Sequence, residues 1–289
     1  MLREDDFSRT VVEMIRRAET RLPGDVERAL KKNARAETHP PAKLHYDLML
    51  KNIEIARKRE RPICQDTGTM SFFIKIGRNL RINFDIADAL AEAVGRATDE
   101  VPLRANVVDP ITRRATSDNA GEGHPVLHLE ITKGDRMRID LLVRGSGAEN
   151  CSRLFMLGPT EGQKAIERAV LSAIADAGGK PCPPTIVGVG IGGTSETACI
   201  MAKRALLRPL DKNNPDPVLN RLERIIGRSA NRLGIGCMGL GGKTTVLGVR
   251  IEKAACHTAS LPVAVAFQCW VARRAGAELK GDRLMVVEP

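Results

Sequence analysis

Apolar residues near the start of the chain recur three and four apart. Phe7, Val11, Met14, Ile15 and Ala18 mark one face of a helix, which LPGD at 22–25 ends. Val26, Ala29 and Leu30 open a second helix. Pro40 and Pro41 suit the first turn of a third, where a missing N–H costs nothing, and Leu44, Leu48, Ile53 and Ile55 are its apolar positions. FFIKI at 72–76 predicts a strand after the loop ICQDTGT at 63–69, and the Ala- and Leu-dense stretch 85–99 predicts a helix. Pro, Asn, Asp, Thr and Gly dominate 101–125, a long loop of the kind that usually serves function. Leu127, Leu129 and Ile131, then Met137, Ile139, Leu141 and Val143, alternate with polar residues around KGD at 133–135, which predicts a β-hairpin. RGSGAEN at 144–150 reads as a turn, 161–177 as a helix, and GGKPCPP at 178–184 as irregular. TIVGVGIGG at 185–193 is a buried strand entering a Gly-rich turn, with a helix from Thr194. An amphipathic helix over 216–233 and apolar strands around 245–251 and 262–268 finish the core. Repeats, low-complexity segments and a clean linker are all missing. The pattern predicts an α+β fold in one compact unit over 1–289, with a helical N-terminal part to about residue 60 and mixed β-sheets.

The 289 residues are ample for a buried core, and 43% hydrophobic with 28% charged residues is ordinary for a soluble globular protein. No stretch approaches the ~18–20 apolar residues of a membrane helix. The opening MLREDDFSRT lacks the apolar core of a secretory signal, so a cytoplasmic location and no membrane partner are expected. Lys and Arg total 45 against 35 Asp and Glu, a net charge of +10. That balance fits an anionic small substrate, an acidic partner subunit or nucleic acid. The basic residues are scattered and aromatics are 3%, which leaves almost no stacking platform and argues against nucleic acid. Seven cysteines, an odd number without a CxxC pair, argue against a disulfide framework, a structural zinc site or a ferredoxin-type cluster. Buried thiols, or ligands drawn from distant positions, remain.

Several segments carry candidate chemistry. CQDTG at 64–68 sets a thiol, an amide and a carboxylate before a strand, and it reads either as a site or as a surface turn with a buried cysteine. In PCPP at 181–184 proline removes backbone donors and fixes φ, so Cys182 sits in a stiff loop, either a ligand loop or a rigid connection. Cys269 ends the apolar strand PVAVAFQ, before Trp270 and the Arg273–Arg274 pair, and reads as a site or a core residue. GLGGKTT at 239–245 imitates a phosphate loop, but that pattern needs Gly where Cys237 stands, and GVGIGG at 188–193 lacks the dinucleotide spacing. These glycines instead suit close backbone approach to something bulky. Among the histidines, His128 reads as a solvent-side strand position, and His257, in ACHTAS between two core strands, as a structural residue or a site residue. Arg104 in PLRANVVDP carries a fork suited to a carboxylate, or is merely solvated.

Taken together and in order, ICQDTG, LRANVVDP, GSGAENCSRL, CPP followed by GVGIGGT, GLGGKTTVLGV and HTASLPVAVAFQCW resemble the catalytic domain of class I fumarases and tartrate dehydratases, over nearly the whole chain. The resemblance implies a [4Fe–4S] cluster on Cys64, Cys182 and Cys269, with one iron open. It implies substrate contacts from Gln65, Arg104 and the backbone around Gly147, and catalytic roles for Asp66 and His257. Single-chain members continue into a second domain. This chain stops at Pro289, so it resembles the α subunit of the two-component form, with a β subunit and an α–α dimer in an α2β2 assembly expected. GSGAEN and IGGT resemble the fumarase versions of those turns, which implies reversible hydration of fumarate to malate, with L-tartrate dehydration as the alternative. A different class, a basic nucleic-acid-binding or scaffold protein, is the remaining reading.

Overall fold

The structure is a computed structural model that describes residues 2–287. In chain order the elements are α1 (Glu4–Thr20), α2 (Gly24–Ala36), α3 (Pro40–Arg59), β1 (Thr69–Gly77), α4 (Ile86–Glu100), β2 (Val126–Thr132), β3 (Met137–Arg144), the single turn α5 (Ser146–Glu149), β4 (Arg153–Leu157), α6 (Gly162–Ala177), β5 (Thr185–Ile191), α7 (Ser195–Ala205), α8 (Pro217–Asn231), β6 (Val246–Lys253), β7 (Leu261–Gln268), β8 (Arg273–Lys280) and β9 (Arg283–Val287). The fold is α+β with mixed sheets, as the pattern implies. The sequence reads as one unit, whereas the contacts sort the chain into two. One comprises residues up to Pro23, Asn52–Gly145 and Arg273 onward, and the other Gly24–Lys51 and Ser146–Ala272. The chain passes between them inside α3 and between adjacent residues elsewhere, so no linker exists for the sequence to reveal.

In the first unit a five-stranded sheet runs β2-β1-β3-β8-β9, parallel only between β1 and β2. The apolar stripe of α1 and the alanine-rich face of α4 cover one side. Phe7, Val11, Met14, Ile15, Leu90 and Val94 pack there with Phe72, Ile74, Ile139 and Leu141. Asp85 starts α4 by accepting from the Ala87 and Asp88 amides. The predicted hairpin does not form. β2 and β3 both pair with β1, which lies between them. FFIKI lies between the two strands of the expected hairpin, next to the edge strand, and the 133–136 connection steps over its end. There the Gly77 amide donates to the Arg136 carbonyl at 2.7 Å and the Arg78 amide to Thr132 at 2.8 Å. A Cβ on Gly77 would meet the Asp135 nitrogen at 2.7 Å, so the step requires glycine. His128 is not simply solvent-facing, since its ring stacks on Phe73 at 4.6 Å.

The second unit is built on the sheet β4-β7-β5-β6, in which β5 and β6 are parallel and β7 runs antiparallel to β4 and β5. Alternation along β5 assigns its two faces. Val187, Val189 and Ile191 pack with Val170 and Ile174 of α6 and Leu222 and Ile226 of α8. Gly188 and Gly190 point the other way, where α7 lies so close that a Cβ on Gly190 would stand 2.9 Å from the Ala202 nitrogen. Thr194 and Asp216 cap α7 and α8. In α3 the buried residues are Ala42, Tyr46, Met49, Ile53 and Ala56, while the expected apolar positions Leu44, Leu48 and Ile55 are exposed. Strands β4, β8 and β9 are additions to the sequence reading.

Candidate active site

In the first unit the CQDTG turn precedes β1, and its geometry is heavily determined. Cys64 and Asp66 are half-buried and Gln65 is exposed. The Asp66 carboxylate turns back to accept from the Gly68 amide at 2.9 Å, an Asx turn. Thr67 ties this turn to the long loop. Its hydroxyl accepts from the Arg104 amide at 3.1 Å and from the Asn106 side chain at 3.0 Å. Asn106 also donates to the Gly68 carbonyl, and Asn119 donates to the Arg104 carbonyl at 2.9 Å. Asp66 and Arg104, far apart in the sequence, thus sit on loops stitched together by Thr67, Asn106 and Asn119. The Arg104 side chain itself is exposed.

Beneath the turn lies a buried ion pair. Arg273 Nη1 reaches Glu19 Oε2 at 2.9 Å, with side-chain exposures of 1% and 0%. The same Nη1 donates to the Asp66 carbonyl at 2.9 Å. Burial pushes the Glu19 carboxyl from 4.5 up to about 7, against the pull of Arg273 and with a smaller push from Asp66. Sequence reasoning missed both roles. The available signal was register: Glu19 follows Ile15 by four residues, on the apolar stripe of α1.

In the second unit the PCPP loop and the end of β7 meet. The Trp270 amide donates to the Cys182 carbonyl at 3.2 Å, which sets the backbones of Cys182 and Cys269 next to each other. Cys182 has φ +50°, a left-handed conformation that costs a non-glycine residue on the order of 1–3 kcal/mol and is kept where surroundings over-determine it. Here the surroundings are the Met238 amide, donating to Pro183 at 2.7 Å, and the close passage of Gly239 over Gly179. Gly147 belongs to the same neighbourhood, since a Cβ on it would stand 2.8 Å from the Lys180 carbonyl oxygen. His257 does not. It is exposed in the loop before β7, its ring nitrogen accepting from the Ala259 amide, whereas Cys269 follows the other end of β7. Between them in the chain lies β7, whose eight residues at ~3.3 Å each span roughly 23 Å.

All seven cysteines carry thiols: Cys64, Cys182 and Cys269 are half-buried, Cys151 and Cys237 buried, Cys199 and Cys256 exposed. Burial, with Glu37 adding to it, pushes the Cys237 thiol up to about 12, so it stays protonated and behaves as a small apolar side chain. Among the described residues no group of three or more His, Cys, Asp and Glu could hold a metal ion. For an iron–sulfur group the donor chemistry fits. The three part-exposed thiols lie on turns and strand ends, and the backbones of two of these residues, Cys182 and Cys269, lie side by side within one unit. Among the described residues no helix is long and apolar enough to cross a membrane.

In the first unit, amide, carboxylate and guanidinium groups stand on loops joined by Thr67, Asn106 and Asn119. The chain matches the family model described as Fumarate hydratase (Fumerase) over residues 8–278, and it belongs to that family of hydro-lyases. It is similar to a Methanocaldococcus jannaschii protein provisionally named L(+)-tartrate dehydratase subunit alpha, 43% identical over 96% of this chain and 98% of that protein. It is also similar to the L(+)-tartrate dehydratase subunit alpha of Escherichia coli strain K12, 38% identical over 88% of this chain and 84% of that one. A like-named protein of Shigella sonnei gives the same figures, 38% over 88% and 84%.

Proposed function

We propose that this chain is the iron–sulfur α subunit of a hydro-lyase that removes water from L(+)-tartrate, working with a β subunit. The observation that carries the reading is the Trp270–Cys182 backbone bond. It brings two of the expected ligand cysteines together in a chain similar to α subunits so named along nearly its whole length. The relatives' names favour tartrate over the fumarate implied by GSGAEN and IGGT. In those turns Gly147 lies on the Lys180 carbonyl, Glu149 pairs with Lys203 at 3.0 Å, and Thr194 caps α7, so the motifs carry packing as well as any substrate contact. Family membership also displaces the basic-scaffold alternative.

In this reading Cys64, Cys182 and Cys269 hold a [4Fe–4S] cluster. Such a group supplies, when bound, an open iron as Lewis acid towards a hydroxyl and a carboxylate. The exposed Arg104 fork pairs with a substrate carboxylate. Gln65, exposed beside Cys64, donates its amide to a substrate oxygen. Asp66 holds the proton at the hydroxyl side, its carboxylate oriented by the Gly68 amide. The backbone at Gly147 approaches substrate without side-chain interference. His257, at the far end of β7 from Cys269, acts only on the site of a second copy, in the α–α contact of an α2β2 assembly.

The test is anaerobic purification with the β partner, an absorbance spectrum, and turnover assays on L(+)-tartrate and fumarate. A brown complex that dehydrates tartrate is expected, with the chain alone nearly inactive. A colourless complex would sink the cluster assignment, and turnover of fumarate alone would sink the substrate.

A further inference from the structure

We propose that Arg273, with Glu19 as its buried counter-ion, is a positioning residue for the reaction: it fixes the Asp66 carbonyl and with it the Cys64–Asp66 turn. The inference rests on the reading above for its catalytic consequence, but its geometry is independent of any ligand.

A buried ion pair is seldom worth keeping for stability, because an apolar pair of similar volume commonly folds as well or better. This pair is almost wholly buried, at 1% and 0% exposure, so a second purpose is called for. Its connections supply one. Arg273 Nη1 spans Glu19 Oε2 and the Asp66 carbonyl, each at 2.9 Å. The backbone of Glu19 accepts from the Ile63 amide, also at 2.9 Å. The last turn of α1 therefore holds the segment at both ends, at Ile63 through main chain and at Asp66 through Arg273. Asn52 secures Ile63 further, donating to its carbonyl at 2.8 Å. Gly145 closes the other side. A Cβ there would lie 2.8 Å from Asp66 Oδ2 and 3.6 Å from Arg273 Nη2, so the carboxylate has one seat. Both bonds leave Nη1, whose two hydrogens the planar guanidinium holds in fixed directions, whereas a lysine ammonium turns freely on a flexible stem. Displacement of a substrate-contacting turn by about 1 Å costs on the order of a hundredfold in rate.

Two variants of the chain, each in complex with the β subunit, test this: Arg273→Lys, and the double change Glu19→Leu with Arg273→Met, which replaces the pair by apolar groups. The double variant should recover the wild-type melting midpoint. Its kcat on tartrate should nonetheless stay at least about tenfold down, with KM within about threefold, the mark of a contact that matters only in the transition state. Recovery of kcat together with the midpoint would overturn the proposal. Hydrogen exchange on the chain alone supplies a readout free of substrate and cluster. Amides of residues 63–68 should exchange faster in both variants while α4 is unchanged, and unchanged exchange there would overturn the proposal equally. Should the wild-type complex turn over neither tartrate nor fumarate, the functional reading fails, and the exchange arm still decides whether Arg273 positions the turn.

Discussion

Cys237 separates ligand thiols from structural ones. Its side chain is fully buried, and burial beside Glu37 raises the thiol from an ordinary 9.0 to about 12. Alkylating agents are attacked by the thiolate. At pH 8 a thiol of pKa 9.0 is ionised to about one part in ten, and one of about 12 to roughly one part in ten thousand. Cys237 should therefore label about a thousandfold more slowly than an exposed cysteine of ordinary pKa, before any further delay from steric burial. The assay is a time course with iodoacetamide at pH 8, read by peptide mass spectrometry on the native chain. Cys199 and Cys256, both exposed, should label first. After anaerobic reconstitution with iron and sulfide, Cys64, Cys182 and Cys269 should drop out of the labelled set while Cys199 and Cys256 are unaffected. Labelling of Cys237 on the timescale of Cys256 would refute the burial argument. Undiminished labelling of Cys182 or Cys269 in the brown protein would refute the ligand set.

Gly190→Ala should lower the urea midpoint by an amount worth about 3 kcal/mol or more, because the new Cβ would stand 2.9 Å from both the Ala198 carbonyl carbon and the Ala202 nitrogen and force α7 off β5. A loss below about 1 kcal/mol would mean the helix retreats freely. Stability against pH should carry the signature of Glu19: its folded pKa, about 7, lies above the ordinary 4.5, so its contribution is complete below 4.5 and is lost as pH rises to about 7. Over that window the wild-type chain should lose stability on the order of 3 kcal/mol relative to Glu19→Gln, whose profile should be flatter when melting is followed in steps of pH. Asn106→Ala removes the two side-chain bonds that join the Arg104 loop to Thr67 and Gly68. It should cost about 1–3 kcal/mol and raise KM more than it lowers kcat, and an unchanged KM would dissociate Arg104 from substrate binding.

What the sequence made legible was whatever periodicity encodes. The stripe Phe7–Val11–Met14–Ile15–Ala18 became α1, and the capped Ala-rich stretch became α4. Periodicity does not encode pairing. The strands around KGD were found, yet the predicted hairpin did not form, because alternation marks a strand without naming its partner, and β1 lies between the two. Strand β8 carries no apolar alternation at its start, where it opens with two arginines; Arg273 and Arg274 are nonetheless only 1% and 4% exposed. Leu129 and Ile131 alternate as a core strand should, but they lie on the edge strand β2 and are 52% and 73% exposed. The site divides the same way. Local turns such as CQDTG and PCPP were legible, whereas Glu19 and Arg273, joined across most of the chain's length, were not.

The glycine motifs show why the substrate was harder to read than the family. GLGGKTT is neither a phosphate loop nor a seat for something bulky. Gly239 passes over Gly179, the Met238 amide holds Pro183, and Lys243 reaches the Ala36 carbonyl at the end of α2. Gly239 thereby admits the loop that carries Cys182, while Gly241 and Gly242 admit the His39 and Glu37 side chains. Gly188 and Gly190 likewise admit α7 against β5. The motifs that make the family recognisable are thus constraints on how backbone meets backbone around the cysteine loops. Such constraints are the same whichever hydroxy-dicarboxylate is bound. On the function proposed above, discrimination between substrates is assigned to exposed side chains such as Gln65 and Arg104 and to groups of a β subunit, none of which a backbone motif specifies.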